Sequence, residues 1–374
     1  MHDKRSTTNA RHRAPSGSER AGEPDFDRVR MALACGQPDR IPLAEVGIDD
    51  QVRTDYLGRP TSGLGDEVEF WHSAGYDYVL IGRRLGLGLF PGISYGYRYG
   101  GKPLPSTGDP RDSSKGWADE GHGAIRTMAD FEAYPWPEAA TADYSEIDRI
   151  AHYLPPGMKA IFYSGPIFQW LWMLMGFETF AFALTDDREL VERLFQRIGE
   201  IRLQVLEIAL NRCPVLGAVW QLDDIAYSEG LMVSPQILRR WLFPWFRRMQ
   251  DLCRARDLPL IYHSDGKYWP VLDDLLDIGF CAIHPVEPKG MGADLDELKE
   301  RTKGRLCLIG GVDLDVLITG TKDGVRSETL RVLRAVGSDG YILGSSNSIT
   351  ADVGLGNYAT MLQMGNDYGA RDEY

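Results

Sequence analysis

Pro259-Leu-Ile-Tyr-His-Ser-Asp-Gly266 decides the reading of this 374-residue chain, because an apolar run stops abruptly at a histidine, a carboxylate and a glycine. A buried strand that ends in chemistry is what such a run predicts. In a barrel of parallel strands the C-terminal strand ends face the active-site mouth, which makes His263 and Asp265 candidate catalytic groups. Three jobs are open to His263: ligating a metal, acting as acid or base near neutral pH, or hydrogen-bonding a substrate. The alternative is a histidine satisfied by neighbouring backbone at a strand end.

Outward from this stretch, short apolar runs with polar ends alternate with segments of helical period. The candidate strands are 41–46, 76–82, 159–165, 215–224, 258–266, 282–288, 305–313 and 340–346, and eight such runs predict a single (β/α)8 TIM barrel. Leu190, Leu194, Ile198, Ile201, Val205 and Ile208 repeat at spacings of three and four, the apolar face of one helix. Ser234-Pro235 announces another, serine as N-cap and proline as first residue, with a kink expected at Pro244. A doubly wound sheet is the rival, but Gly86, Gly88 and Gly92 do not fit G-x-G-x-x-G and nothing matches a P-loop, so that cluster reads as a loop. The stretch 86–156 is too long for one connection, and the alternation of Tyr95, Tyr97 and Tyr99 predicts a small hairpin in an insertion after the second strand. Such an insertion could serve as a lid or an interface.

Residues 1–24 are rich in Ser, Thr, Arg, Pro and Gly and are expected as a disordered tail, with 25–374 as the barrel domain. No apolar segment follows the early basic residues, and Gly165, Pro166, Gln169 and Glu178 interrupt the apolar region 161–184 too soon for a membrane span. That region reads as a strand followed by a buried helix. A net charge of −13 argues against nucleic acid and anionic membranes. Five scattered cysteines with no CxxC pair indicate neither a disulfide framework nor a zinc ribbon, so a reducing cytoplasm is the expected location.

The last residues of the eight runs converge. Glu45, Arg83, Ser164, Asp223, Asp224, His263, Asp265, Glu287, Asp313 and Ser345 would ring one end of the barrel. Carboxylates around a histidine can hold a divalent metal or push each other's pKa values apart for acid and base work. The alternative for Asp223 and Asp313 is capping of helices. Backbone amides of Gly310-Gly311 and Gly344-Ser-Ser-Asn347, after strands seven and eight, could hold a phosphate or carboxylate group, or form simple turns.

Several segments now carry a resemblance: Gly36-Gln-Pro-Asp-Arg-Ile-Pro42, Tyr134-Pro-Trp-Pro137, Ser234-Pro235 before Phe243-Pro244, His263-Ser-Asp-Gly266, Gly310-Gly-Val-Asp313 and Gly340-Tyr-Ile-Leu-Gly344. From about Phe26 to the C-terminus the chain resembles the uroporphyrinogen decarboxylase superfamily. The resemblance implies a single (β/α)8 barrel and leaves two activities open, tetrapyrrole decarboxylation and corrinoid-dependent methyl transfer.

Departures from the family patterns divide these. True decarboxylases share an Arg-Gln-Ala-Gly-Arg segment where this chain has Glu45-Val-Gly-Ile-Asp-Asp50. They also carry an aspartate where it has Ile81-Gly-Arg-Arg84, a tyrosine at Trp172 and a histidine at Ser345. A substrate with eight carboxylates needs cationic partners that an acidic mouth lacks. Thiol methyltransferases of the family bind zinc through His-x-Cys and a later cysteine. Here His263 is kept, Asp265 replaces the cysteine, and the later one falls near Ser345 or Ser346. Relatives that demethylate methoxylated aromatics use a Glu-Glu-His set, and Tyr227 and Leu242 occupy those glutamate positions.

The expectation is therefore methyl transfer from a small methoxylated or N-methylated donor to a corrinoid protein or another one-carbon carrier. The catalytic residues expected are His263, Asp265, Asp224 and Glu45, with Zn2+ or another divalent metal on His263, Asp265 and Glu287. Trp170, Trp172, Met173 and Trp220 would wall the donor pocket, with Asp223, Tyr163, Ser345 and Asn347 contacting it; the four wall residues could equally be core. The expected partners are the donor, a corrinoid protein and a second copy in a homodimer. Uroporphyrinogen decarboxylase-type loss of CO2 and a non-catalytic ligand-binding barrel are the alternatives.

Overall fold

The computed structural model describes residues 23–91, 93, 98–99, 102–103, 123–291, 295–302 and 304–368. Seven of the eight apolar runs form parallel strands: β1 (Tyr78–Ile81), β2 (Lys159–Ser164), β3 (Leu216–Leu222), β4 (Leu260–His263), β5 (Ala282–Val286), β6 (Cys307–Val312) and β7 (Tyr341–Ser345). They pair in chain order into one curled sheet, as alternating strands and helices require.

The eighth run does not become a strand, which corrects the expected closed barrel. Residues 41–46 pair with β7 through an isolated bridge at Leu43 and Leu343, Ala44 donating to Leu343 O at 2.8 Å and Leu343 to Pro42 O at 2.9 Å. Pro42 has no N–H to extend that ladder. On the other flank no ladder reaches β1. Instead the Tyr78 hydroxyl accepts from the Glu45 amide at 2.9 Å and donates to the Glu45 carbonyl at 3.0 Å. A side chain thus fills the seam that a main-chain ladder would close.

The interior is packed by side chains from alternate strands. Tyr78 on β1 meets Trp220 on β3 at 6.4 Å between ring centroids, and Trp220 meets His284 on β5 at 4.9 Å. Outside lie α1 (Phe168–Met175), α2 (Arg188–Arg212) and α3 (Phe243–Arg254). The predicted face of α2 is buried from Leu190 to Val205, with Ile208 half-buried. Ser234 takes the N-cap position without a side-chain cap bond. The kink expected at Pro244 is a wide turn over Leu238–Leu242, where the Phe243 amide donates to Leu238 O, five residues back. That wider turn makes room for the proline ring and its missing N–H.

The region 161–184 is a strand followed by two helices where one buried helix was expected, Phe168–Met175 being buried and Phe177–Asp186 burying only Phe180 and Ala183, and no helix among the described residues is long and apolar enough to cross a membrane. In the insertion, Arg98–Tyr99 pairs antiparallel with Lys102–Pro103, giving the hairpin; Tyr95 and Tyr97 lie outside the described residues, as does the expected tail save Glu23 and Pro24. The glycine cluster is no nucleotide loop. Arg83–Leu87 is a short helix, and Gly86 sits so close to Tyr163 that a Cβ there would lie 2.4 Å from the ring. The buried Arg202 guanidinium donates to the carbonyls of Leu85 at 2.7 Å, Gly86 at 2.6 Å and Pro166 at 3.2 Å. Burial pulls its pKa down to about 9.

Candidate metal centre and its cavities

Two neighbouring carboxylates leave the end of β3 with different work. Asp223 is fully buried, and its oxygens accept the amides of Ile167, Phe168 and Gln169 at 2.9, 2.9 and 2.8 Å, capping α1. Ile167 at the N-cap brings no acceptor of its own, so the strand supplies one. Burial raises Asp223 to about 6 despite those bonds. Asp224 lies instead beside the end of β4. There the His263 Nε2 is 3.6 Å from Asp224 Oδ1 and 3.9 Å from Asp265 Oδ1, and ligand atoms of the three residues lie within 4.8 Å of one another.

The chain between these groups is held tightly. The Asp265 amide donates to Asp224 Oδ1 at 3.1 Å, Gln169 Nε2 to Asp224 Oδ2 at 3.0 Å, and Asn347 Nδ2 to Asp265 Oδ2 at 3.2 Å. Gly266 has φ +81°, and a Cβ there would meet the Tyr227 backbone at 2.5 Å, so only glycine lets the loop turn behind Asp265. Burial, then the charge of Asp265, pushes Asp224 well above the usual carboxylate range; burial lowers His263.

This donor set fits a divalent cation. Ligand atoms around a tetrahedral zinc stand roughly 3.4 Å apart, given bonds of about 2.1 Å, close to the separations here. Asp265 Oδ1 is buried with no hydrogen-bond partner among the described residues, the state expected of an atom reserved for a cation. One imidazole and two carboxylates make an oxygen-rich set, unlike the thiolate sites that favour soft-ligand zinc.

A cavity of about 60 Å3 opens on this trio, lined also by Val46, Arg83, Leu87, Tyr163, Leu222, Asn347 and Ser348. A larger one of about 390 Å3 lies beside it, lined by Glu287, Lys289, Asp313, Leu314, Asp315, Glu328, Arg331, Ser346, Asn347 and Thr350. A family model described as uroporphyrinogen decarboxylase (URO-D) matches residues 122–368, which spans β2 to β7 and the whole of the trio. The chain belongs to the uroporphyrinogen decarboxylase family.

Among solved structures, a methyltransferase from Methanosarcina mazei superimposes with a TM-score of 0.68 and 17% identity, over 91% of this chain and 98% of that one. At that identity the likeness concerns the fold. A B12-independent methionine synthase from a Shewanella species gives a TM-score of 0.42 and 10% identity over 61% of this chain and 66% of the other. No curated protein sequence matches the chain significantly.

Within this URO-D chain, several expected site residues lie elsewhere. Glu287 is not in the group with His263 and Asp265; Asp224 takes that place, while Glu287 lines the larger cavity, raised to about 7 by burial and by Asp265. Glu45 is fully buried and lines neither cavity, its carboxylate accepting the Ser345 amide at 2.9 Å and the Ser345 hydroxyl at 2.6 Å. Burial raises Glu45 to about 8. Ser345 also donates to Asn347 O, so a single hydroxyl proton faces two acceptors unless Glu45 itself carries one.

The aromatic wall is core rather than pocket. Trp170 is fully buried with its indole N–H on Gly86 O, Trp172 packs edge-on against Phe177, Met173 packs against the core, and Trp220 fills the interior. None of the four lines the trio's cavity, and of the other expected contacts only Tyr163 and Asn347 do. Asp223, engaged by three amides, is not among them. Ser164 is buried at the end of β2. Asp313 caps Leu314–Thr319, accepting from Asp315, and pairs with Lys289 at 2.5 Å. Of the amides expected to cradle an anion, those of Ser345 and Ser346 already donate to Glu45 and Val312, and Gly310-Gly311 lies within β6 rather than in a turn.

His284 is the residue that sequence reading missed. It pairs with His263 in register across β4 and β5, with Nδ1 atoms 2.7 Å apart. The signal was a histidine inside the apolar run Ala282–Val286, where a polar side chain needs a partner.

Proposed function

We propose that this chain is a methyltransferase that moves a methyl group from a small methoxylated or N-methylated donor to a corrinoid protein or another one-carbon carrier. The grouping of Asp224, His263 and Asp265 at the floor of a narrow cavity carries this reading. These three residues would hold a divalent cation such as zinc. When bound, a Lewis acid draws electrons from the donor oxygen or nitrogen and makes its methyl group electrophilic.

The chain's own groups orient and protect that event. Gln169 and the Asp265 amide hold Asp224, and Asn347 holds Asp265, which keeps two carboxylates aimed at one point. Leu87, Leu222, Val46 and the Tyr163 ring line the space above and exclude water from the methyl group. Without a cation, the raised Asp224 carboxyl keeps a proton that it can deliver to the departing oxygen or nitrogen as the methyl group leaves.

Purified protein should therefore contain or take up a divalent metal and transfer methyl groups from some member of a panel of methoxylated and N-methylated donors to a corrinoid carrier. His263→Ala should abolish both. Full transfer by His263→Ala would sink the assignment, and activity in metal-free protein would leave Asp224 as an acid in its place.

One observation favours a second reading. Arg83 lines the same cavity, so a small carboxylic acid could present its carboxylate there and lose CO2. Release of CO2 from a panel of such acids, or coproporphyrinogen formation from uroporphyrinogen, would decide for it. Tight ligand binding without turnover would identify a binding barrel instead.

A further inference from the structure

His263 has two ring nitrogens and they face different neighbours. Its Nε2 points between Asp224 and Asp265, at 3.6 and 3.9 Å. Its Nδ1 lies 2.7 Å from Nδ1 of His284, with the ring centroids 5.0 Å apart and the planes 25° from parallel. At that separation one hydrogen occupies the space between the two nitrogens. Which ring carries it fixes the state of His263 Nε2.

If His263 carries the hydrogen on Nδ1, its Nε2 is a bare lone pair facing two carboxylates, an arrangement that a cation among them or a proton on Asp224 makes favourable. If His284 carries it, His263 keeps its own hydrogen on Nε2 and cannot be a ligand. His284 lines neither cavity and is completely buried, and its Nε2 has no hydrogen-bond partner among the described residues. Trp220 packs perpendicular to it at 4.9 Å, so the ring has no freedom to turn away. No substrate needs to reach it for it to act.

We infer that His284 is a positioning residue for His263. It fixes the imidazole plane and, by accepting the Nδ1 hydrogen, presents a bare Nε2 to the cation that Asp224 and Asp265 attract. With the cation bound, His263 carries its hydrogen on Nδ1, donated to His284 Nδ1, and His284 carries its own on Nε2. Metal ligands held in this way by an outer partner lose about 10–100-fold in metal affinity when the partner is removed.

The inference rests on the cation reading of the trio, and imidazole 15N NMR of the full chain separates the two. In the Zn2+-loaded protein His263 should be in the Nδ1–H form and His284 in the Nε2–H form. His284→Leu should fold, as circular dichroism would check, yet bind Zn2+ about 10–100-fold more weakly. His284→Asn, whose side-chain oxygen can still accept from His263, should recover most of that loss. Wild-type zinc affinity in His284→Leu, or a zinc-bound His284 that carries its hydrogen on Nδ1, would overturn the inference. Should the native protein bind no divalent ion, the cation reading fails on its own. The zinc-free spectrum then decides: a His263 tautomer unchanged in His284→Leu overturns the positioning role, and an altered one supports it.

Discussion

The Tyr78 hydroxyl spans the open seam of the sheet by accepting the Glu45 amide at 2.9 Å and donating to the Glu45 carbonyl at 3.0 Å. Both Glu45 groups are buried, and each has this one phenol where a strand would have offered a ladder. Tyr78→Phe leaves them without a partner and should lower the unfolding free energy by about 2 kcal/mol, read as a reduced urea midpoint. An unchanged midpoint would show that water or a shifted backbone closes the seam.

Glu45 should make stability depend on pH. Its folded pKa of about 8 lies above the ordinary value of 4.5, so folding favours the protonated form. The contribution is complete below 4.5 and is lost as pH rises through about 8. Glu45→Gln mimics the neutral acid, donating to Ser345 Oγ while the serine donates to Asn347. Its melting temperature should match the native protein at pH 4 and exceed it at pH 9. Parallel curves for the two proteins would contradict a neutral Glu45.

Asp223 and Asp224 are adjacent, yet their substitution should fail in opposite ways. Asp223→Ala strips the cap from α1 and leaves three buried amides, costing about 2–3 kcal/mol of stability in a denaturant melt. Asp224→Asn removes a half-buried carboxylate that desolvation and Asp265 already disfavour as an anion, and should fold at least as stably as the native chain while losing zinc affinity more than about tenfold. Equal zinc affinity in Asp224→Asn would remove it from the metal centre.

Gly266→Ala tests how the loop aims Asp265. With φ +81° and Tyr227 backbone 2.5 Å from the new Cβ, the turn must shift. A stability loss of about 1–2 kcal/mol is expected, with a fall in zinc affinity that isothermal titration would read. Native affinity in this variant would mean that Asp265 does not depend on the turn.

How much of this was legible follows from the residues themselves. The strand ends could be read because an apolar run broken by Ser-Asp-Gly or Leu-Asp-Asp has one plausible orientation in a parallel sheet, and seven of eight runs obeyed it. The run 41–46 did not, since its proline and its demand for a phenol partner are facts about neighbours distant in sequence. The same limit hid the division of labour between Asp223 and Asp224, which depends on where α1 begins. Trp170 and Trp220 carry no mark that separates an interior ring from a pocket wall, and only the phase of α1 and β3 decides it. His284 was concealed by its own apolar surroundings.

The two cavities share Asn347 alone among their linings. A space of 60 Å3 is well below the roughly 150 Å3 that accepts benzene, so on the methyl-transfer reading the smaller cavity would take the tip of a donor and not its body. The body would then lie towards the larger cavity, whose Glu287, Lys289, Glu328 and Arg331 are not among the three candidate cation ligands. On the methyl-transfer reading, reactive centre and selectivity filter would be separate modules, and a change of donor would call for new residues chiefly in the second.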